Sequence, residues 1–507
     1  MTRLHWLFGG LGVILALFLN LETIPLFDVD EGAFTEATRE MLARGDFLTT
    51  YLDGELRFDK PILIYWLQAV SASLFGLTEG AMRLPSVLAA LAWVGLTYAF
   101  GRRHLGPEAG AWAAFFLAVS IQTSLIAKAA IADALLNLWL AAALFAIYEN
   151  YRTGEVRWLY AAYGAMGLGL LTKGPVALLI PVAASLLFAL SRSAWRRWLT
   201  GLAHAGPWLL FLAVAAPWYL AELWAQGWAF IEGFFLKHNI SRFQGPMEGH
   251  AGSLLYYVPV VLIGTVPFTA LVLRGLRPLR ALWHKDLDRF LLIWLAFVFV
   301  FFSLSGTKLP HYIIYGYTPL FLLAGRAATE AWPRWHLALW PAALLLLLAA
   351  LPAILTGLPA VESDPYARAV AAALDRRIGW GWAGAMLVLA LAILGLAVFA
   401  RRRTALVGAG LITTVAFHGA FLPLAAEVKQ GPIRDVGLLA RRSGAPFHLE
   451  MRAPSFLFYA RSTSVDRPMR PGDWVLTEAH KAPRIPPHRV IRKRNGVLLA
   501  EITATAP

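Results

Sequence analysis

Apolar stretches long enough to cross a lipid bilayer recur along most of this chain, and no other feature limits its fold so tightly. A crossing helix needs about 20 mainly apolar residues. Leu11 to Leu21, Leu209 to Leu220, Phe290 to Leu304 and Leu337 to Leu351 each lie at the centre of such a stretch. With 58% hydrophobic and only 15% charged residues among 507, the chain has too little polar surface to cover a soluble globule of its size. The expected fold class is an all-α polytopic membrane protein.

Thirteen crossings are expected, with centres near Leu15, Leu91, Leu117, Leu140, Gly164, Ala183, Leu212, Leu262, Leu295, Phe321, Leu345, Ala390 and Thr413. The loops between them fall into two sets. One is short and basic, and includes Arg102-Arg103, Arg196-Arg197, Arg274 through Arg289 and Arg401-Arg402-Arg403. The positive-inside rule places this set in the cytoplasm, so the N-terminus is expected inside and the tail outside. The formal charge of +14 then reflects cytoplasmic loops, not a nucleic-acid surface. With no cysteine there is neither a disulfide framework nor thiolate chemistry. The apolar run from Trp6 resembles a signal peptide, but Asn20-Leu21-Glu22 offers no small-residue cleavage pattern, so an uncleaved first helix is expected.

Two domains are expected: a transmembrane domain over 1–426, with a first outer loop (22–80) holding amphipathic helices, and a small extracytoplasmic α/β domain over 427–507. In the tail, Pro432 to Arg441 reads as a helix and Asp473 to Leu476 as a strand. His488 to Lys493 and Val497 to Ile502 read as a hairpin, because Asn495-Gly496 suits a type I′ turn.

On this topology the polar residues gather on the outer face. Asp28, Asp30, Glu31, Asp59 and Lys60 lie in the first outer loop. Lys128 and Asp133 flank the turn between spans three and four, and Lys173 the turn between five and six. His238, Arg242, Glu248 and His250 belong to a later outer loop, and Lys308, His311 and Tyr312 to the start of span ten. Ionisable groups near the membrane are costly and usually functional. Asp30 read blandly is a helix N-cap, although two more carboxylates beside it exceed what a cap needs. The lysines read blandly are snorkelling side chains, although the positive-inside rule depletes this face. Clustered Lys and Arg with Tyr suit a phosphate or diphosphate, whose departing charge they would stabilise. Asp59, His238 and His250 could together hold a divalent metal; Asp59 could equally be a cap or pair with Lys60.

Several fragments resemble the C-type glycosyltransferases that use polyprenyl-phosphate sugars: Asp30-Glu31-Gly32-Ala33-Phe34-Thr35-Glu36, Phe58-Asp59-Lys60-Pro61, Arg83-Leu84-Pro85-Ser86, Thr172-Lys173-Gly174-Pro175, His238-Asn239-Ile240-Ser241-Arg242-Phe243 and Lys308-Leu309-Pro310-His311-Tyr312. The resemblance is to the bacterial branch containing the lipid A 4-amino-4-deoxy-L-arabinose transferase, within the protein O-mannosyltransferase superfamily. It covers most of the membrane portion. It implies inverting transfer of a sugar from a polyprenyl-phosphate donor such as undecaprenyl phosphate to a lipid A, glycan or protein acceptor, at the outer face of the bacterial inner membrane. By the same resemblance Asp30, with Glu31, is catalytic, as base or orienting group. Lys60, Lys173, Arg242, Lys308, His311 and Tyr312 bind the donor phosphate, and Asp28, Lys128 and Asp133 support the site. Asp59 and Gly32-Ala33 depart from the arabinose-transferring pattern, which leaves sugar and acceptor open. The non-enzymatic alternative is a polyprenyl-phosphate or lipid transporter using the same basic cluster.

Overall fold

The computed structural model describes residues 3–241, 252–356, 361 and 363–504, with 238–241, 352, 355 and 356 placed by backbone alone. Each of the thirteen expected centres, from Leu15 to Thr413, falls inside a helix. Six helices among the described residues are long and apolar enough to cross a membrane: Glu79–Leu105, Ala205–Gln226, Asp286–Leu304, Arg334–Leu351, Trp380–Phe399 and Arg402–Lys429. Pro107–Val119 and Ile121–Lys128 make a seventh if counted as one span bent by 63°. The bend falls at Ser120, whose extended backbone (φ −61°, ψ 136°) ends the first segment. The Ile121 N–H, freed from the helix ladder, donates to the Val266 carbonyl at 3.1 Å. The chain is thus a multi-pass membrane protein, mostly helical, with a small sheet near its C-terminal end.

In the first loop, where amphipathic helices were expected, the leading helix is enclosed by protein. The helix Asp30–Arg44 is buried on every face from Glu31 to Met41. One side packs on the helix Leu63–Phe75, and the opposite side on a short tail helix, Pro454–Ala460. Its polar residues are satisfied inside protein. Arg39 and Glu36 pair at 2.6 Å, and the Thr38 hydroxyl donates to Gln68 Oε1 at 2.8 Å. Gly45, in the left-handed region at φ 68°, ends the helix. A tight hairpin of β1 (Tyr51–Leu52) and β2 (Glu55–Leu56) follows, turning on Asp53 and Gly54, both at positive φ.

The tail comprises the helix Gly431–Ser443, the helix Pro454–Ala460 and four strands: β3 (Phe447–Leu449), β4 (Trp474–Glu478), β5 (His488–Arg494) and β6 (Val497–Ile502). The sheet order is β3-β4-β6-β5. β3 runs parallel to β4, and the other pairs are antiparallel. Asn495 and Gly496 take φ values of 46° and 86°, as the two central positions of a type I′ turn require. One face of the sheet and the two helices enclose a core around Ile433, Val436, Phe456, Leu476 and Leu499.

Tail and first loop are tied together at several points. Ser455 donates its N–H (2.8 Å) and hydroxyl (2.5 Å) to the two carboxylate oxygens of Asp28. The Tyr459 hydroxyl accepts the Leu26 N–H at 2.9 Å and donates to Glu79 at 3.0 Å. Arg461 reaches the Leu77 carbonyl at 2.6 Å, and Ser464 caps the Asp53 carboxylate through N–H and hydroxyl, each at 2.6 Å. Gly32 permits this approach. A β-carbon there would lie 2.4 Å from the Ser455 nitrogen and 2.3 Å from Asp28 Oδ1.

Candidate active site

The first turn of the helix Asp30–Arg44 places two adjacent carboxylates in unlike surroundings. Glu31 points inward and is buried. Its oxygens accept from Arg83 Nε (2.9 Å) and Nη2 (2.8 Å), from the Phe27 N–H (2.9 Å) and from the Ala130 N–H (2.8 Å). Arg83 also donates to the carbonyls of Leu21, Ile24 and Pro25. This knot binds the end of the first helix, the Ile24–Phe27 turn and the turn after Lys128 into one unit. With its lone pairs engaged, Glu31 is better placed to hold the loop than to accept a substrate's proton.

Asp30 instead is exposed, and has no hydrogen bond or ion pair within the described residues. Standing in the helix's first turn, its charge is favoured by the helix dipole. It borders a cavity of about 460 Å³, whose polar lining also includes Asp28, Glu31, Arg83, Lys128 and His311. Asp28 sits under Ser455, where burial pushes its carboxyl up to about 7. A larger cavity of about 1090 Å³ lies elsewhere, among Leu187, Leu276, Phe297 and Leu320, and contains no carboxylate. The carboxylates line the smaller one.

Asp133, the first residue of the helix Asp133–Thr153, anchors a second group. Lys173 Nζ and the Tyr315 hydroxyl both donate to its Oδ1 at 2.6 Å. His311 Nε2 lies 3.9 Å from the same oxygen. The Lys173 ammonium also sits 5.4 Å from the Tyr312 ring centre and 5.6 Å from that of Tyr315. Because Pro310–Gly316 is a 3₁₀ helix, Tyr312 and Tyr315 share a face. His311 borders the Asp30 cavity as well, so it joins the two groups. Asp30 and Lys60 both lie within electrostatic reach of it.

Lys60 donates to the Asp59 carbonyl at 2.8 Å, and buried Lys308 to the Ser305 carbonyl at 2.7 Å. Arg242 and His250 lie outside the described residues, as does the side chain of His238. The Asp59 carboxylate is held by Arg57 at 3.1 Å. Among the described residues no group of three His, Asp or Glu side chains could hold a metal ion.

Sequence reasoning passed over Arg57, Arg83 and Tyr315. The Arg57 guanidinium also donates to the Ala33 carbonyl at 2.6 Å and lies 5.2 Å from the Phe34 ring. The buried Tyr65 hydroxyl, near Arg57 and Asp59, finds no partner among the described residues. Tyr315 was findable, since it stands three residues after Tyr312, one turn of a 3₁₀ helix. Arg57 has its partner Asp59 only two residues on, whereas the partners of Arg83, whose fragment carried part of the resemblance, lie more than fifty residues away.

A family model described as dolichyl-phosphate-mannose-protein mannosyltransferase matches residues 59–220. An uncharacterised protein of Aquifex aeolicus is 32% identical over 317 residues, covering 62% of this chain and 70% of that protein. An undecaprenyl phosphate-alpha-4-amino-4-deoxy-L-arabinose arabinosyl transferase of Aeromonas salmonicida is 30% identical, covering 62% of this chain and 58% of the enzyme. A second such transferase, from Sodalis glossinidius, is 36% identical, covering 64% and 60%. The chain thus spans about three-fifths of the length of the arabinosyl transferases it matches. Among solved structures, ArnT from Cupriavidus metallidurans bound to undecaprenyl phosphate superposes with a TM-score of 0.82 at 22% identity, covering 100% of both chains. That likeness shows the fold.

Proposed function

The chain belongs to the C-type glycosyltransferase superfamily that includes the arabinosyl transferases and the protein mannosyltransferases, and we propose that it moves a sugar from a polyprenyl-phosphate donor to an acceptor at the outer face of the bacterial inner membrane. One observation carries this reading: Asp30 is exposed at a cavity whose remaining carboxylates are already bonded within the protein. In the proposed step the acceptor oxygen attacks the anomeric carbon from the face opposite the phosphate. Its C–O bond forms as the bond from that carbon to the phosphate oxygen breaks, and the configuration inverts. The Asp30 carboxylate takes or orients the acceptor's proton. The departing lipid phosphate gathers negative charge, which Lys60, Lys308 and Arg242 stabilise. Lys173 already has Asp133 as counter-ion, so it and Tyr312 shape that wall and orient His311. Glu31 holds the loop. In this reading the tail, with its boundary near 427, lies on the outer side beside the first loop.

Asp30→Asn keeps the shape and removes the proton acceptor. With a polyprenyl-phosphate sugar as donor, kcat is expected to fall by roughly 10²–10⁴-fold, while the protein melts as the wild type does. A well-folded Asp30→Asn protein turning over at the wild-type rate would falsify the assignment. The arabinosyl transferase relatives make a pentosyl donor and lipid A the first pair to try, with hexosyl donors and other acceptors next.

A further inference from the structure

We propose that the cavity beside Asp30 takes the phosphate of an amphipathic lipid onto the Lys128 ammonium. Lys128 is the last residue of the helix Ile121–Lys128 and is 6% exposed. Its Nζ donates to the Leu19 carbonyl at 3.2 Å, its one hydrogen bond among the described residues. No described carboxylate forms an ion pair with it, and the charge that acts on it most is another cation, Arg83. The cavity's acids do not relieve this. Glu31 is engaged by Arg83 and two backbone N–H groups. Asp28 is engaged by Ser455. Asp30 borders the same space without reaching Lys128.

Burying an ammonium without a counter-ion is costly, and a group kept so is matched to an anion that arrives from outside. Such a buried charge sits at a cavity edge in this fold, not in packed core. The form of the cavity indicates the rest of the ligand. The same cavity of about 460 Å³ is also lined by Leu125, Ile126, Phe417, Phe421 and Leu422. One charged end and an apolar body describe a lipid phosphate, for which lysine serves as a point charge. Arg83 lines the space too, but its donors are already distributed among Glu31 and three carbonyls. The assignment deepens the proposed function by naming a second anion contact at that site, and rests on it only for what the bound lipid does. The phosphate could come from a polyprenyl lipid or from an acyl lipid, and Lys128 would meet either in the same way.

Binding can be measured on the full chain in detergent micelles, without turnover, by native mass spectrometry. The probes are farnesyl phosphate, dilauroyl phosphatidic acid, and farnesol as the uncharged control. At least one phosphate probe is expected to bind ten times more tightly than farnesol. Lys128→Met should erase most of that margin, a loss of about tenfold or more, and Lys128→Arg should restore it to within about threefold. Dependence confined to farnesyl phosphate assigns the polyprenyl source; dependence confined to phosphatidic acid assigns the acyl source. Ala425→Trp, which fills the cavity from its apolar wall, should block the same probe without touching Lys128. Equal phosphate-probe binding by wild type and Lys128→Met, or wild-type binding by Ala425→Trp, would overturn the proposal. An Asp30→Asn protein should still bind, so failure of sugar transfer and failure of this site read out separately.

Discussion

Asp30 and Glu31 are one residue apart, and a helix turns about 100° between neighbours, so two identical charges face different worlds. Glu31 meets four donors in a dry interior; Asp30 meets the cavity. Removing one member of a buried, hydrogen-bonded ion pair strands the other, at a cost of about 3–5 kcal/mol. Glu31→Gln is therefore expected to lower the melting temperature markedly, in contrast to Asp30→Asn, which should leave it in place. Thermal unfolding of the two purified variants side by side checks this contrast, and equal melting would refute it. The sequence made the acidic patch and the outer lysines legible, because a run of charges after an apolar span stands out. It did not make their division of labour legible. That depended on Arg83, whose fragment stood out while its partner, more than fifty residues away, did not.

Amphipathic helices were expected in the first loop, but the setting of Asp30–Arg44 was not. Glu36, Arg39 and Glu40 made one side look wet, whereas the tail helix Pro454–Ala460 and the loop's own hairpin cover it. No pattern within the first loop announces a partner some four hundred residues away. The hairpin at Asn495-Gly496 was legible for the opposite reason, since its information is contained in two residues that tolerate positive φ. The junction of loop and tail should respond to pH. Burial raises the Asp28 carboxyl from its ordinary value to about 7. The folded state therefore holds that proton more tightly than the unfolded one. Its contribution is complete below the ordinary carboxylate range, and is lost as pH rises through about 7. Protection from hydrogen exchange in the peptide around Leu26–Arg44, taken relative to the intrinsic exchange rate at each pH, is expected to fall between pH 5 and pH 8. Asp28→Asn should flatten that slope, and a slope unchanged in the variant would exclude Asp28 as its source.

Across the whole molecule, two helix ends supply the cations at Lys128 and Lys173, the turn before Pro310–Gly316 supplies Lys308, and the tail packs on the segment that carries Asp30. The helical centres followed from hydrophobicity alone, as the bilayer leaves the backbone little choice. The convergence of five separate segments on one cavity did not, because it is a property of packing between helices. If the tail positions Asp30, weakening the junction should slow the reaction more than it weakens donor binding. Ser455→Ala combined with Tyr459→Phe removes three side-chain hydrogen bonds to the loop and its surroundings. At roughly 0.5–1.5 kcal/mol each, their loss should reduce kcat several-fold with donor KM within about twofold. A rise in donor KM at constant kcat would instead place the tail at the donor site.

The contacts between Asp28 and Ser455 and between Asp53 and Ser464 join the first loop with a segment synthesised some four hundred residues later. While the chain is still being made, Asp30 belongs to a helix lacking one of its walls, and the spans can enter the membrane around an unfinished centre. In the proposed reading the site is complete only once the segment around Ser455 has closed over Gly32. A chain stalled before Ser455 is made would then sit in the membrane without transferring sugar.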